Sequence, residues 1–194
     1  MVHFIGFSLV KRSLKRNMAE RTLIVDHLKL RYEGLFNTAE LYNMIGAYFF
    51  ENGYNWSEPY NQEKATSEGR QIEMVLEPNK SVSDFYKFVV RIKINGTDIR
   101  AVEVEHEDKA VQLDHGVLHL TFDGYLVADR KGKWKDKPWK YFLGLALSKY
   151  FYKNKDDKFS KLLEQNIAEI HQLIKNYLNM VNYTYSPHHD GPEL

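Results

Sequence analysis

Phe85-Tyr-Lys-Phe-Val-Val-Arg-Ile-Lys-Ile94 alternates apolar and basic side chains over most of its length. The apolar parity comprises Tyr86, Phe88, Val90, Ile92 and Ile94. The opposite parity carries Lys87, Arg91 and Lys93. A period of two residues is typical of a β-strand, because successive side chains point to opposite faces of a sheet. We therefore predict a strand here, with one face in the core and a basic face toward solvent.

Strand patterns continue on both sides of this segment. Thr22 to Leu35 alternates in the same way, and Val102-Glu-Val-Glu105 and Leu118 to Phe122 indicate further strands. The Asn95-Gly96 pair favours a hairpin turn, so we expect the two glutamates to face the basic strand. The parity of Ile99 disagrees with that of Val102, which indicates a bulge or a longer loop. Other turn signals stand at Ser67-Glu-Gly69, Pro78-Asn79, Glu107-Asp108, His115-Gly116 and Asp123-Gly124.

Three segments have the apolar spacing of amphipathic helices. The first begins at an Asn37 or Thr38 cap and ends at Asn52-Gly53. The second begins at Asp136, and the third begins near Asp156-Asp157. Together with the strands, these helices predict an α+β fold, in which a mainly antiparallel sheet carries about three helices on one face.

The last of these helices has an apolar stripe that admits two interpretations. The stripe comprises Leu163, Ile167, Ile170, Ile174, Tyr177 and Val181. Steps of four and three residues match the heptad repeat of a coiled coil, so the stripe is a candidate dimer interface. Leu162, Leu173 and Leu178 broaden it, and a wide stripe is typical of a helix that packs on its own sheet. The sequence leaves both interpretations open.

Composition limits the class of protein. The chain has 194 residues, 43% hydrophobic and 27% charged, with a formal net charge of +1, which suits one globular domain. We expect this domain at residues 21–182, between a flexible basic extension at 1–20 and a mobile tail at 183–194. The absence of cysteine excludes disulfides and thiol nucleophiles and favours a cytoplasmic protein. No stretch contains the roughly 18 apolar residues of a membrane span.

Arg130 to Lys140 gathers six basic residues and two tryptophans against one acid. Lysine and arginine release counterions from phosphates, and aromatic rings stack on unpaired bases, so this composition favours a nucleic-acid partner. The candidate contacts are Lys131, Lys133, Trp134, Lys135, Lys137 and Lys140, together with Lys87, Arg91 and Lys93. Trp139 is in phase with the apolar face of the second helix and is assigned to the core. A solvated lysine loop remains the alternative interpretation.

No motif indicates catalysis, a cofactor or a metal site. His115 and His119 are four positions apart on a predicted strand, which separates their Cα atoms by roughly 13 Å, too far for one metal ion. Glu103 and Glu105 have the spacing of solvated carboxylates on a strand. We therefore predict no metal, no cofactor and no enzymatic activity. An enzyme that uses Asp123 or Glu103 in a pocket ranks last among the alternatives.

Several segments resemble those of an archaeal family of mostly uncharacterised proteins. The segments are Asp26-His-Leu-Lys-Leu-Arg-Tyr-Glu-Gly-Leu-Phe36, Phe50-Glu-Asn-Gly-Tyr-Asn-Trp56, Gly69-Arg-Gln-Ile-Glu-Met-Val-Leu-Glu-Pro78, Val102-Glu-Val-Glu105, Phe122-Asp-Gly-Tyr125 and the single residue Trp134. The likeness covers roughly residues 22–180. Within this family, the chain is similar to the ribosome dimerization factors.

The resemblance implies a homodimer that joins two small ribosomal subunits and blocks association with the large subunit. It also implies contacts with ribosomal RNA and protein, but it assigns no site residue by motif. The expected function is therefore non-enzymatic inhibition of translation during ribosome hibernation. The alternative is a protein-binding module that uses the aromatic run from Tyr54 to Tyr60 without RNA.

Overall fold

The computed structural model describes residues 21–67, 69–84, 86–106, 109–128 and 153–185. These residues form a six-stranded sheet in which every pairing is antiparallel. The strands are β1 (Arg21–Phe36), β2 (Tyr60–Thr66), β3 (Gly69–Leu76), β4 (Asn79–Ser81), β5 (Lys87–His106) and β6 (Lys109–Val127). The helices are α1 (Thr38–Glu51) and α2 (Lys153–Tyr185). The strand order β1-β6-β5-β3-β2, with β4 beside β5, confirms the predicted α+β class.

Some predicted segments lie outside the described residues. The helix predicted from Asp136 is one of them, so two helices are described rather than about three. The extension at 1–20 and residues 186–194 of the predicted tail are others. Helix α2 ends at Tyr185 and therefore continues beyond residue 182, where the domain was predicted to end. In the described part of the chain, no helix combines the length and the apolar character needed to cross a membrane.

Both helices pack against the same face of the sheet. Leu41 of α1 lines a small apolar cavity with Ile94 of β5 and Leu118 of β6. The ring of His171 on α2 lies 5.5 Å from the ring of Phe122 on β6. Leu118 and Phe122 share one parity of β6 and so point to one face. The opposite face carries neither described helix, and we call it the open face.

Two local predictions are confirmed. Phe88, Val90 and Ile92 of β5 are fully buried, while Lys93 on the opposite parity is exposed. Asn37 caps α1, and its side-chain oxygen accepts a hydrogen bond of 3.1 Å from the Glu40 N–H. This bond satisfies one of the backbone donors that a helix start leaves unpaired.

The predicted hairpin turn at Asn95-Gly96 is wrong. Strand β5 continues through this pair, and Glu103 lies opposite Gln112 of β6 rather than opposite the basic strand. The predicted bulge is confirmed, because the β5–β6 register shifts between Thr97 and Arg100. Asp98 within the shift has a φ of 55°, a left-handed conformation that aspartate adopts more readily than most residues.

Close packing explains the glycines that had indicated turns. A Cβ atom on Gly96 would lie 2.6 Å from Cδ1 of Ile99, and one on Gly116 would lie 3.0 Å from Cα of Ile99. Any larger residue would therefore force Ile99 to shift within the core, where it is 1% exposed. Gly124 is not a strand end either, since β6 extends to Val127. The glycines mark a bend inside long strands.

The stripe on α2 belongs to the core of one chain, which agrees with the second of the two interpretations that the sequence left open, packing on the chain's own sheet, rather than with the candidate dimer interface. Leu163, Ile167, Ile170, Ile174, Tyr177 and Val181 are only 0–7% exposed within one chain. Helix α2 contacts β1, β5 and β6, and a Cβ atom on Gly124 would lie 2.5 Å from Cδ1 of Ile167. The absence of a side chain at Gly124 lets the helix approach the sheet. The wide stripe therefore packs against the chain's own sheet.

We expect Ile170→Ala to lower the free energy of unfolding by about 2–5 kcal/mol, because it opens a cavity at a fully buried position. Leu173→Ala on the same helix is the control; Leu173 is 38% exposed, and its truncation should cost less than about 1 kcal/mol. Urea denaturation measures both values. Sedimentation velocity should show the same mass for both variants, and dissociation by Ile170→Ala without lost stability would contradict the core assignment.

Candidate nucleic-acid interface

The predicted site residues divide into two groups. Lys131, Lys133, Trp134, Lys135, Lys137 and Lys140 lie outside the described residues. Lys87, Arg91 and Lys93 lie on β5, on the parity that points to the open face. Their position was predicted from alternation alone, and the structure brings further cations beside them.

Strand pairing places cations from β1 beside those of β5. Thr121 of β6 lies opposite Lys29 of β1 on one side and opposite Lys93 of β5 on the other. Strands are about 4.8 Å apart, so the two lysine Cα atoms are separated by roughly 10 Å. In the next row, His119 lies between Arg31 of β1 and Asn95 of β5. The proximity of Lys29 and Lys93 could not be predicted from the sequence, because it depends on how β6 pairs with the strands on both sides of it.

The arginines of the open face are partly neutralised. Arg91 donates a hydrogen bond of 2.5 Å from Nε to Oε1 of Glu77. Burial alone would lower the pKa of Arg91, but the hydrogen bond and charge of Glu77 raise it. Arg31 lies 3.6 Å from Glu33, and both side chains are exposed. Arg91 is therefore a weaker phosphate contact than predicted.

The lysines of the open face remain available. Lys29, Lys87 and Lys93 form no ion pair with any residue that the structure describes. Lys29 and Lys93 are exposed, and Lys87 is half-buried. Exposed ammonium groups without a carboxylate partner can neutralise phosphates at little desolvation cost. These three side chains are therefore candidate anion contacts on the open face.

Two tyrosines add aromatic surface to the open face. Tyr60 of β2 lies opposite Val75 of β3, which lies opposite Lys93, so the row that begins at Lys29 ends at Tyr60. Tyr60 is 39% exposed and can stack on a base. Tyr125 of β6 is less available, because Cζ of Arg21 lies 3.7 Å from the centroid of its ring.

A bulge at the start of β1 buries one carboxylate of the open face. Asp123 is 2% exposed, and its Oδ1 accepts a hydrogen bond of 2.9 Å from the His27 N–H. His27 has a φ of 52°, and the β1–β6 register shifts between Val25 and Leu28. Asp26 also contacts the His27 ring. The sequence gives no local signal for this cluster, because Asp123 stands 96 positions from His27.

Asp26, His27 and Asp123 also offer metal-ligating atoms that lie within 4.8 Å of one another. The His27 ring contacts both carboxylates through Nδ1. Asp123 therefore fixes the bulge, whereas the enzyme hypothesis placed its carboxylate in a pocket. Glu103, the other residue of that hypothesis, is exposed on β5.

The aromatic run Tyr54 to Tyr60 does not form one continuous patch, as its use as a single binding surface had assumed. Tyr60 lies on the open face, and Tyr54 is 5% exposed beneath α1. Trp56 packs against α1 and forms a groove with residues of that helix. This aromatic groove has a volume of about 350 Å³ and is lined by Tyr42, Asn43, Gly46, Ala47, Phe50, Tyr54 and Trp56.

A polar cleft lies beside the aromatic groove, between α1 and the sheet. Its charged groups pair with one another. Arg70 donates a hydrogen bond of 2.8 Å to Oδ1 of Asp114 and one of 3.2 Å to Oε1 of Glu63. Asp114 also accepts a hydrogen bond from the hydroxyl of Thr38 at the start of α1. The cleft therefore joins α1 to β3 and β6.

Comparison with known proteins gives no match: no family model, no curated protein and no solved structure matches this chain. The resemblance to the archaeal family therefore stays a prediction.

We expect Asp123→Ala to lower the free energy of unfolding by about 1–3 kcal/mol, because the His27 N–H loses its buried acceptor. Asp123→Asn keeps an acceptor oxygen and should cost less. Hydrogen exchange should show faster exchange of the His27 amide in Asp123→Ala than in Asp123→Asn. Equal exchange in both variants would contradict the assignment of this carboxylate to the bulge.

Proposed function

We propose that this protein is a non-enzymatic factor that binds ribosomal RNA of the small subunit through its open face. One observation carries the RNA contact: Lys29, Lys87 and Lys93 share this face without an ion-pair partner in the described ranges. Each lysine that meets a phosphate releases condensed counterions, which favours binding.

The row from Lys29 to Tyr60 favours an unpaired segment of RNA. It crosses five strands and ends on an exposed ring, so cations and a stacking surface lie along one line. Proteins that bind single strands combine these two features, since phosphates meet the cations while bases stack on the rings. Duplex RNA keeps its bases stacked inside the helix and would leave Tyr60 unused.

The ribosomal part of the proposal rests on the resemblance to the ribosome dimerization factors. As a homodimer, the protein would join two small subunits and block their association with the large subunit. The α2 stripe is buried, so we place the contact between copies at a sheet edge. All seven residues of β2 are exposed, and among the described strands β2 pairs with β3 alone. An edge of this kind can pair with a strand of another chain.

Removal of two open-face lysines should weaken RNA binding in a way that depends on salt. We expect Lys29→Gln/Lys93→Gln to reduce the slope of log affinity against log salt by about 1.4–1.8, if each lysine meets one phosphate. Fluorescence anisotropy with a labelled single-stranded RNA measures this slope. Lys161→Gln/Lys175→Gln is the matched control, because both lysines are exposed on α2, away from the open face. Equal slopes for the two double variants would remove the RNA contact from this face.

Sedimentation through a sucrose gradient tests the ribosomal partner separately. The protein is mixed with small ribosomal subunits from its own source and should co-migrate with them, with part of the subunits in a heavier peak. The variant Lys29→Gln/Lys93→Gln should reduce the co-migrating fraction, whereas Lys161→Gln/Lys175→Gln should not. A protein that binds RNA but stays at the top of the gradient would contradict the ribosomal assignment and leave the RNA contact intact.

A further inference from the structure

The aromatic groove is formed by two nearly perpendicular rings next to a glycine, which has no side chain to fill the space. We call this pair of rings the corner of the groove. Tyr42, Gly46 and Phe50 follow one another at four-residue steps on α1 and so share one side of the helix. Trp56 packs over Gly46, where a Cβ atom would lie 4.0 Å from the Trp56 ring. The rings of Tyr42 and Trp56 are 5.8 Å apart and stand at 85° to each other. Phe50 is 81% exposed at the open side of the groove.

The carboxylate of Glu58 is hydrogen-bonded to Tyr42 of this corner. The Tyr42 hydroxyl donates a hydrogen bond to Oε2 of Glu58, and Oε1 of Glu58 accepts a bond of 2.6 Å from Nδ2 of Asn61. This hydrogen bond, with burial and the charge of Glu58, raises the pKa of Tyr42. The Tyr42 hydroxyl is the donor in this pair, and the Glu58 carboxylate is the acceptor. The faces of aromatic rings are negative as well, so the corner favours a positive group.

We propose that the aromatic groove binds the side chain of a lysine or arginine in a basic segment of a partner protein. A cation is attracted by the ring faces and by Glu58, whereas an apolar side chain is attracted by the rings alone. None of the described residues that line the groove is basic, so nothing on its walls repels a cation. This binding site goes beyond the proposed RNA contact and does not depend on it.

The same cluster of rings already holds one cation of the chain itself. Nζ of Lys80 lies 5.7 Å from the centroid of the Tyr54 ring and donates a hydrogen bond of 2.7 Å to the Asn52 carbonyl. Tyr54 is buried and supports the groove from below. The exposed rings of Phe50 and Trp56 could hold a second cation in the same way. Among the described residues, no cation lies over either ring.

Two labelled peptides of equal length test the proposal. One carries three lysines among glycines and serines, and the other carries norleucine at the same positions. We expect the lysine peptide to bind at least fivefold more tightly by fluorescence anisotropy, because norleucine keeps the carbon chain without the charge. Phe50→Leu keeps an apolar side chain but removes a ring, and should weaken binding of the lysine peptide roughly two- to fivefold. Trp56→Ala should weaken it on the order of tenfold.

Three controls make the result decisive. Tyr183→Leu removes an aromatic side chain that is 77% exposed on α2, and should leave the affinity unchanged. Glu58→Gln keeps the acceptor for Tyr42 but removes the charge, and should weaken only the lysine peptide. The RNA affinity of Phe50→Leu should equal that of the unmodified protein. Equal binding of both peptides, no measurable binding of the lysine peptide, or an unchanged lysine-peptide affinity in Phe50→Leu would each overturn the proposal.

Discussion

The packing of Ile99 against three glycines is the constraint on which the sheet depends. A Cβ atom would lie 2.9 Å from the Ile99 carbonyl oxygen at Gly69, 2.6 Å from Cδ1 of Ile99 at Gly96, and 3.0 Å from its Cα at Gly116. These glycines lie on β3, β5 and β6. The bulge beside Asp98 turns Ile99 inward, and the glycines leave room for it. Strands β5 and β6 can therefore bend without ending, and β3 can pair alongside them.

The continuity of β5 decides the electrostatics of the open face. A hairpin closed at Asn95-Gly96, with the one-residue shift that Ile99 indicates, would return Glu103 and Glu105 along the same strand and place Glu105 opposite Lys87. Because β5 continues, these glutamates lie opposite Gln112 and Ala110 of β6, at the far end of the ladder. Lys93 has Thr121 and Val75 as neighbours instead. The bend that Ile99 makes possible thus separates the acids from the cations of one strand.

Local features were predictable from the sequence, and long-range pairing was not. The alternation of β5 and the cap at Asn37 depend on residues within a few positions, so the pattern indicates them directly. The Asn95-Gly96 pair was ambiguous, since glycine serves a tight turn and a crowded bulge equally well. The approach of Lys29 to Lys93 and of His27 to Asp123 depends on how β1 pairs with β6. Nothing near those residues in the chain encodes that pairing.

A formal net charge of +1 is low for a protein that binds RNA, but this value sums over the whole chain. Surface charges act within a Debye length of about 8–10 Å, so a phosphate at the open face senses the nearby charges rather than the total. There Glu77 pairs with Arg91 and Glu33 with Arg31, and Glu73 lies beside Tyr60, whereas Lys29, Lys87 and Lys93 form no ion pair with a described residue. The helical layer on the other face carries the Glu58 carboxylate and the rings of the aromatic groove, which favour a cation. A nearly neutral chain can therefore carry a surface that favours anions on one face and a groove that favours cations on the other, and each can act without cancelling the other.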